Sequence, residues 1–129
     1  MRDEQYSGAF DGSAKPNPGE MTIGGIIYSP ERTVLKTFSE DLGHGTNNEA
    51  EYLAFIRLVE ESKNLGIKRI SIRGDSMLVV NQVTGLWKVK QPHIRELHRE
   101  ALSALEGFDE WVVSHVLRTH NKIADSLTR

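Results

Sequence analysis

Four carboxylates in this chain, Asp11, Glu51, Asp75 and Asp125, sit in local contexts where an acid could do chemistry. Asp11 closes an apolar, strand-like run over residues 5–11 and is followed by Gly12, Pro16, Asn17, Pro18 and Gly19, a stretch unable to propagate a helix. It is expected at the rim of a sheet. Glu51 lies in a predicted helix over 48–65, where, at about 100° per residue, Ala54, Phe55, Leu58, Val59 and Leu65 share one arc. Glu51 falls near the middle of that arc, and Glu49 points the other way with Glu60 and Lys63. A carboxylate on a buried face needs a cationic side chain or a metal ion beside it. Glu49 reads as a first-turn acid favoured by the helix dipole. Asp75 follows a strand and opens a helix, so it is either an N-cap or a site residue at a strand's carboxyl end. Asp125, inside the closing helix, reads by itself as a surface acid.

The elements that must bring these acids together read as follows. Strands are predicted over 5–11, 21–29 and 33–39, with Ser29-Pro30-Glu31-Arg32 as the second turn, which makes an antiparallel meander. Gly24 and Gly25 inside the second strand predict a bulge or a close backbone approach. Gly43, Gly45, Thr46 and Asn47 then break the pattern before the long helix, and Gly66 stops it. A strand over 68–73 leads to a short helix over 76–84. Pro92 opens an amphipathic helix carrying Ile94, Leu97, Ala101, Leu102 and Leu105. A strand over 111–117 and a helix over 121–129, with Ile123, Ala124 and Leu127 inward, complete the chain. The order βββαβα(α)βα predicts an α/β fold with a mixed five-stranded sheet, three antiparallel strands plus two parallel ones, flanked by helices.

Composition bounds the function loosely. The 129 residues suit one domain spanning 1–129, and 38% hydrophobic with 26% charged residues is ordinary for a globular chain. The absence of cysteine excludes disulfides and thiolate metal sites. No apolar run approaches the roughly 20 residues of a membrane span, and the polar start lacks a signal-peptide core, so no membrane association and a cytoplasmic location are expected. The net charge of −2 is unlike that of a general nucleic-acid coat. Setting four site acids aside leaves −2 + 4 = +2 for the remaining surface, which is compatible with a polyanion. His44, His93, His98 and His115 have no metal-ligand spacing and are read as structural or surface residues.

Phe10-Asp11-Gly12-Ser13 with Asn17-Pro18-Gly19, Thr46-Asn47-Asn48-Glu49-Ala50-Glu51, Gly74-Asp75-Ser76 and Asn121-Lys122-Ile123-Ala124-Asp125 together resemble the type 1 ribonuclease H family. The match runs through essentially the whole chain, in order. It implies a ribonuclease H-like fold and an endoribonuclease that cuts the RNA strand of RNA–DNA hybrids, leaving 5′-phosphate and 3′-hydroxyl ends. It also implies that Asp11, Glu51, Asp75 and Asp125 hold two Mg²⁺ ions, with Mn²⁺ able to substitute. Asp11 would bridge the ions, with Glu51 and Asp75 on one side and Asp125 on the other. Arg118, or the neighbouring His120, would assist product departure or proton transfer. Asn17, Asn47 and Asn48 match positions around the scissile RNA, Thr46 matches one near the DNA backbone, and Gly12 and Ser13 are expected to bind substrate beside them. The sequence departs from the family in Gly74, where Thr is common, and in lacking a long basic handle between Trp87 and Pro92.

The chemistry suits these residue types. Phosphodiester hydrolysis needs an activated water, charge neutralisation and a stabilised leaving oxygen, which a pair of hard, oxygen-preferring ions supplies. Uncharged Asn amides suit the 2′-hydroxyl and minor-groove contacts that distinguish RNA from DNA. Trp87, Lys88 and Lys90, with Arg95 and Arg99, read either as a short basic ledge for the DNA strand or as core edge plus solvated surface. Two other functions fit the same fold: cleavage of double-stranded RNA, and an inert module that binds nucleic acid. No obligate protein partner is implied.

Overall fold

The computed structural model describes residues 5–128. Its elements are β1 (Tyr6–Lys15), β2 (Gly19–Tyr28), β3 (Val34–Gly45), α1 (Asn47–Asn64), β4 (Arg69–Gly74), α2 (Met77–Val83), α3 (Pro92–Leu105), β5 (Glu110–His115), a 3₁₀ turn (Arg118–His120) and α4 (Lys122–Ser126). One five-stranded sheet runs in the order β3-β2-β1-β4-β5. β1 pairs antiparallel with β2 and β2 with β3, whereas β4 lies parallel to both β1 and β5. This is the predicted mixed sheet of the ribonuclease H-like fold.

β1 sits at the centre because both of its faces are covered. Phe10 projects to the α1 side, where its ring meets Phe55 edge-on at 5.3 Å between centroids. That face carries the main core, with Ile23, Ile27, Tyr52, Leu58, Ile70, Ile72, Val79 and Leu105 buried. Ala9, one residue away and therefore on the opposite face, packs with Ile26 and Ala124 beneath α4. Helix α1 starts with a capping box: Thr46 Oγ1 accepts from Glu49 N–H at 3.1 Å, and the Glu49 carboxylate accepts from Thr46 N–H at 2.8 Å.

The structure corrects several expectations. Asp11 does not end its strand, since β1 stays paired with β2 through Lys15↔Glu20 and carries Gly12 and Ser13 as strand residues. β3 runs on to Gly45 instead of stopping at 39, because β2 provides partners as far as Gly19. The register shifts of β2 fall at Met21/Thr22 and Ile27/Tyr28, so Gly24 and Gly25 mark close approaches rather than a bulge. A Cβ on Gly24 would lie 2.7 Å from Leu127 Cβ, so its absence lets the α4 segment lie against the sheet. The closing helix spans five residues after a 3₁₀ turn; Ala124 is buried, but Ile123 is exposed, as is Leu102 on α3. Arg129, at the end of the predicted helix, lies outside the described residues. Among the described residues, no helix is long and apolar enough to cross a membrane.

Candidate active site

The sheet register brings the first three acids together. Phe10 pairs with Gly74 in the parallel β1–β4 ladder, so Asp11 on β1 and Asp75, just past the end of β4, follow side by side. Gly74 makes this approach possible, because a Cβ there would lie 2.5 Å from the Phe10 ring. Asp75 does not cap α2. That role falls to Ser76, whose Oγ accepts from Val79 N–H at 3.2 Å, which leaves the Asp75 carboxylate to face the site.

Glu51 arrives from α1. A Cβ on Gly12 would lie 2.3 Å from Ala50 O, so only glycine allows the helix this close to β1. At that contact Gly12 N–H donates to Glu51 Oε1 at 3.0 Å. Glu51 is buried, and among the described residues it has no ion pair with a basic side chain, so the ion-pair account left open by the sequence finds no support. Carboxylate oxygens of Asp11, Glu51 and Asp75 all lie within 4.8 Å of one another.

Asp125 joins from the α4 side and shares a hydrogen bond with the Asp11 carboxyl. Its approach depends on Asn121, which sequence reasoning quoted as part of a motif but gave no role. Asn121 is buried, and its Nδ2 donates to Phe10 O at 3.0 Å, tying the 3₁₀–α4 segment to the residue before Asp11. Its place at the start of the predicted closing helix was the signal that the sequence offered.

The electrostatics describe an acid cluster short of positive charge. Burial, then the neighbouring Asp75 and Asp125, push the Asp11 carboxyl up to about 8, with Arg118 opposing. Burial and the charges of Asp11 and Asp75 push Glu51 well above the usual carboxylate range, against the Gly12 hydrogen bond. Among the described residues Asp75 Oδ2 is buried and accepts no hydrogen bond, and Arg118 Nε lies 3.5 Å from it. Arg118 is 75% exposed against 5% for Asp75, so the guanidinium reaches the site from solvent. Oxygen-only donors, mutual proximity and an unsatisfied buried carboxylate oxygen fit a divalent cation. The cluster is thus able to hold such an ion.

A cleft of about 390 Å³ opens beside Glu51 and is lined by Gly12, Ser13, Lys15, Asn47, Asn48 and Arg118 among others. The asparagines are fastened at its edge: Ala14 N–H donates to Asn47 Oδ1 at 2.6 Å and Asn47 N–H to Asn17 Oδ1 at 2.9 Å. Asn48 and Leu78 also line a second cleft of about 550 Å³ with Trp87, Lys88 and Lys90, so the two adjoin. Trp87 is exposed, which removes the core-edge reading. Arg95 lines a neighbouring cleft with Trp87 and Lys88, whereas Arg99 is paired with Glu96. His120 lines a different cleft, with Ala9, Tyr28 and Arg73, and the structure does not bring it to the acids as it does Arg118. Lys15, missed in the sequence because it sits in a turn-like stretch, adds a cation to the first cleft.

Comparison with known proteins agrees with this arrangement. The family described as reverse transcriptase-like matches residues 9–129. Ribonuclease HI of Halobacterium salinarum is 38% identical over 118 residues, covering 92% of this chain and 59% of the relative. A crystal structure of RNase H1 from that archaeon superposes with a TM-score of 0.92 at 36% identity, covering 95% of this chain and 93% of that one. The N-terminal RNase H domain of a Mycobacterium tuberculosis protein gives 0.94 at 32% identity, covering 97% and 91%. LC11-RNase H1, solved in complex with an RNA/DNA hybrid, gives 0.89 at 34% identity, covering 95% and 93%. The chain spans about three fifths of the length of the Halobacterium relative and 32% of the mycobacterial ones. With motif order, sheet topology and sequence identity agreeing from Ala9 onward, this chain belongs to the ribonuclease HI family.

Proposed function

We propose that this protein, as a single ribonuclease H domain, hydrolyses the RNA strand of RNA–DNA hybrids to 5′-phosphate and 3′-hydroxyl products, using Mg²⁺ or Mn²⁺. The observation that carries this reading is the meeting of Asp11, Glu51 and Asp75 oxygens within 4.8 Å, in a chain whose relatives include ribonucleases HI. Asp11, Glu51, Asp75 and Asp125 would hold the ions, which when bound supply charge neutralisation and an activated water.

The chain's own groups do the rest. Asn17, Asn47 and Asn48 hold the RNA backbone and sugar edge over the acids, with Gly12 and Ser13 forming the adjacent wall. Thr46, whose hydroxyl accepts from Glu49 N–H, keeps its O–H proton to donate outward to a phosphate. Trp87, Lys88 and Lys90 support the DNA strand by stacking and charge. Arg118, exposed and weakly held, neutralises the departing phosphate. The reading is tested by incubating labelled hybrid, double-stranded RNA and double-stranded DNA with and without Mg²⁺. Cutting of the hybrid's RNA strand only with metal supports it; cutting of none of them would leave the inert binding module, and cutting of double-stranded RNA alone would reassign the substrate.

A further inference from the structure

Gln82 of α2 lies outside the carboxylate cluster, yet its amide links the helix that carries Glu51 to the loop that carries Trp87 and Lys88. Tyr52, the residue after Glu51, is fully buried and donates its hydroxyl proton to Gln82 Oε1 at 2.6 Å. With Oε1 engaged by Tyr52, Gln82 Nε2 turns to Lys88 and donates to its carbonyl at 3.3 Å. The Gln82 backbone carbonyl lies 3.0 Å from His98 Nε2, which braces α2 against α3.

The loop is anchored at both ends and leaves its middle outside. Leu86, Trp87 and Lys88 are exposed, whereas Gly85 N–H donates to Gln82 O at 3.2 Å, Trp87 N–H to Asn81 O at 3.0 Å and Arg95 Nε to Val89 O at 3.4 Å, and Val89 packs against the main core. Gln82 lines both clefts that flank the loop, along with Trp87 and Lys88. We infer that Gln82, oriented by Tyr52, is a positioning residue that sets the Trp87–Lys88 ledge at a fixed reach from the acid cluster and thereby holds the DNA strand of a hybrid. This rests on the hybrid-cleaving reading above. A glutamate at position 82 would keep an acceptor for Tyr52 but place an oxygen against the Lys88 carbonyl, and a methionine would break both links at similar volume.

The test compares wild type, Gln82→Met, Gln82→Glu and Tyr52→Phe, each alone and combined with Trp87→Ala/Lys88→Ala. Hybrid affinity is measured without divalent ion, and KM and kcat with Mg²⁺. The Gln82 variants should raise Kd and KM about five- to tenfold, the equivalent of one lost hydrogen bond, with kcat changed less than about twofold. In the ledge-free background they should add nothing, as expected of residues acting through one another. An unchanged Kd, a loss confined to kcat, or effects that persist in full without the ledge would overturn the inference. Tyr52→Phe tests the same link if Gln82→Met fails to fold. Wild-type protein that neither binds nor cuts hybrid would instead overturn the functional reading beneath it.

Discussion

Arg118 Nε stands 3.5 Å from Asp75 Oδ2, a buried oxygen that accepts no hydrogen bond among the described residues, while the arginine itself lies mostly in solvent. A cation held so lightly can follow a phosphate out of the cleft without losing a strong partner. Arg118→Ala should therefore lower kcat on hybrid by about 10- to 100-fold, the range for removing one stabilising donor at a charged centre. His120→Ala should stay near wild type. Steady-state rates across pH 6–9 check both, and a kcat inflection near neutrality that vanishes in His120→Ala would reverse the assignment.

The acid cluster makes the metal-free protein pH-sensitive. Asp11 rises from 3.8 unfolded to about 8 folded, and Glu51 shifts in the same direction from 4.5. Between those values the folded state binds more protons than the unfolded one, so stability falls as pH rises from about 4 towards 8. With EDTA present, thermal unfolding should show a lower Tm at pH 8 than at pH 5, and Asp11→Asn should recover about 5 °C or more at pH 8. Saturating Mg²⁺ should raise the wild-type Tm more at pH 8 than at pH 5, because protons compete for the same oxygens. Equal Tm values at both pH values in EDTA would contradict the burial of uncompensated charge.

Gly74 stands where Thr is common in the family, and the Phe10 ring fills the space a Cβ would need. Gly74→Thr should destabilise the protein by about 1–3 kcal/mol, the cost of overpacking, and displace Asp75. Adding Phe10→Leu should recover part of both losses. Urea denaturation of the single and double variants measures the recovery, and a stable, fully active Gly74→Thr would show that the ring can move aside.

Asn121 ties α4 to the backbone beside Asp11. Asn121→Ala should cost about 1–3 kcal/mol by stranding the buried Phe10 carbonyl. It should also depress kcat by more than the unfolded fraction explains, because Asp125 loses its support. Activity measured well below the variant's Tm separates the two effects.

Much of this arrangement was legible in the residues. The 3.6-residue period placed Glu51 on the buried side of α1, and the glycine breaks around it located the helix to within a residue at each end. Asp75 was recognisable from its place after a strand, although Ser76 took the capping role because its hydroxyl, not the Asp75 carboxylate, faces the Val79 amide. The extent of β1 was hidden: Gly12 and Ser13 look like a turn, and only pairing with β2 keeps them extended. Local pattern also could not show that Ile123 faces solvent, since α4 is too short to impose a period. The Tyr52–Gln82–Lys88 link joins positions whose meeting depends on the packing of α1 against α2, which no short stretch encodes.

The most direct measurement is calorimetric titration of Mn²⁺ into wild type, Asp11→Asn and Asp75→Asn at pH 8, paired with hybrid cleavage by the same samples. Gathered acids predict ion binding and RNA-strand cutting by the wild type, with both lost or reduced at least 100-fold in each variant, since every ligand serves one site. Variants that bind Mn²⁺ and cut hybrid like the wild type would show that these oxygens do not form the metal centre.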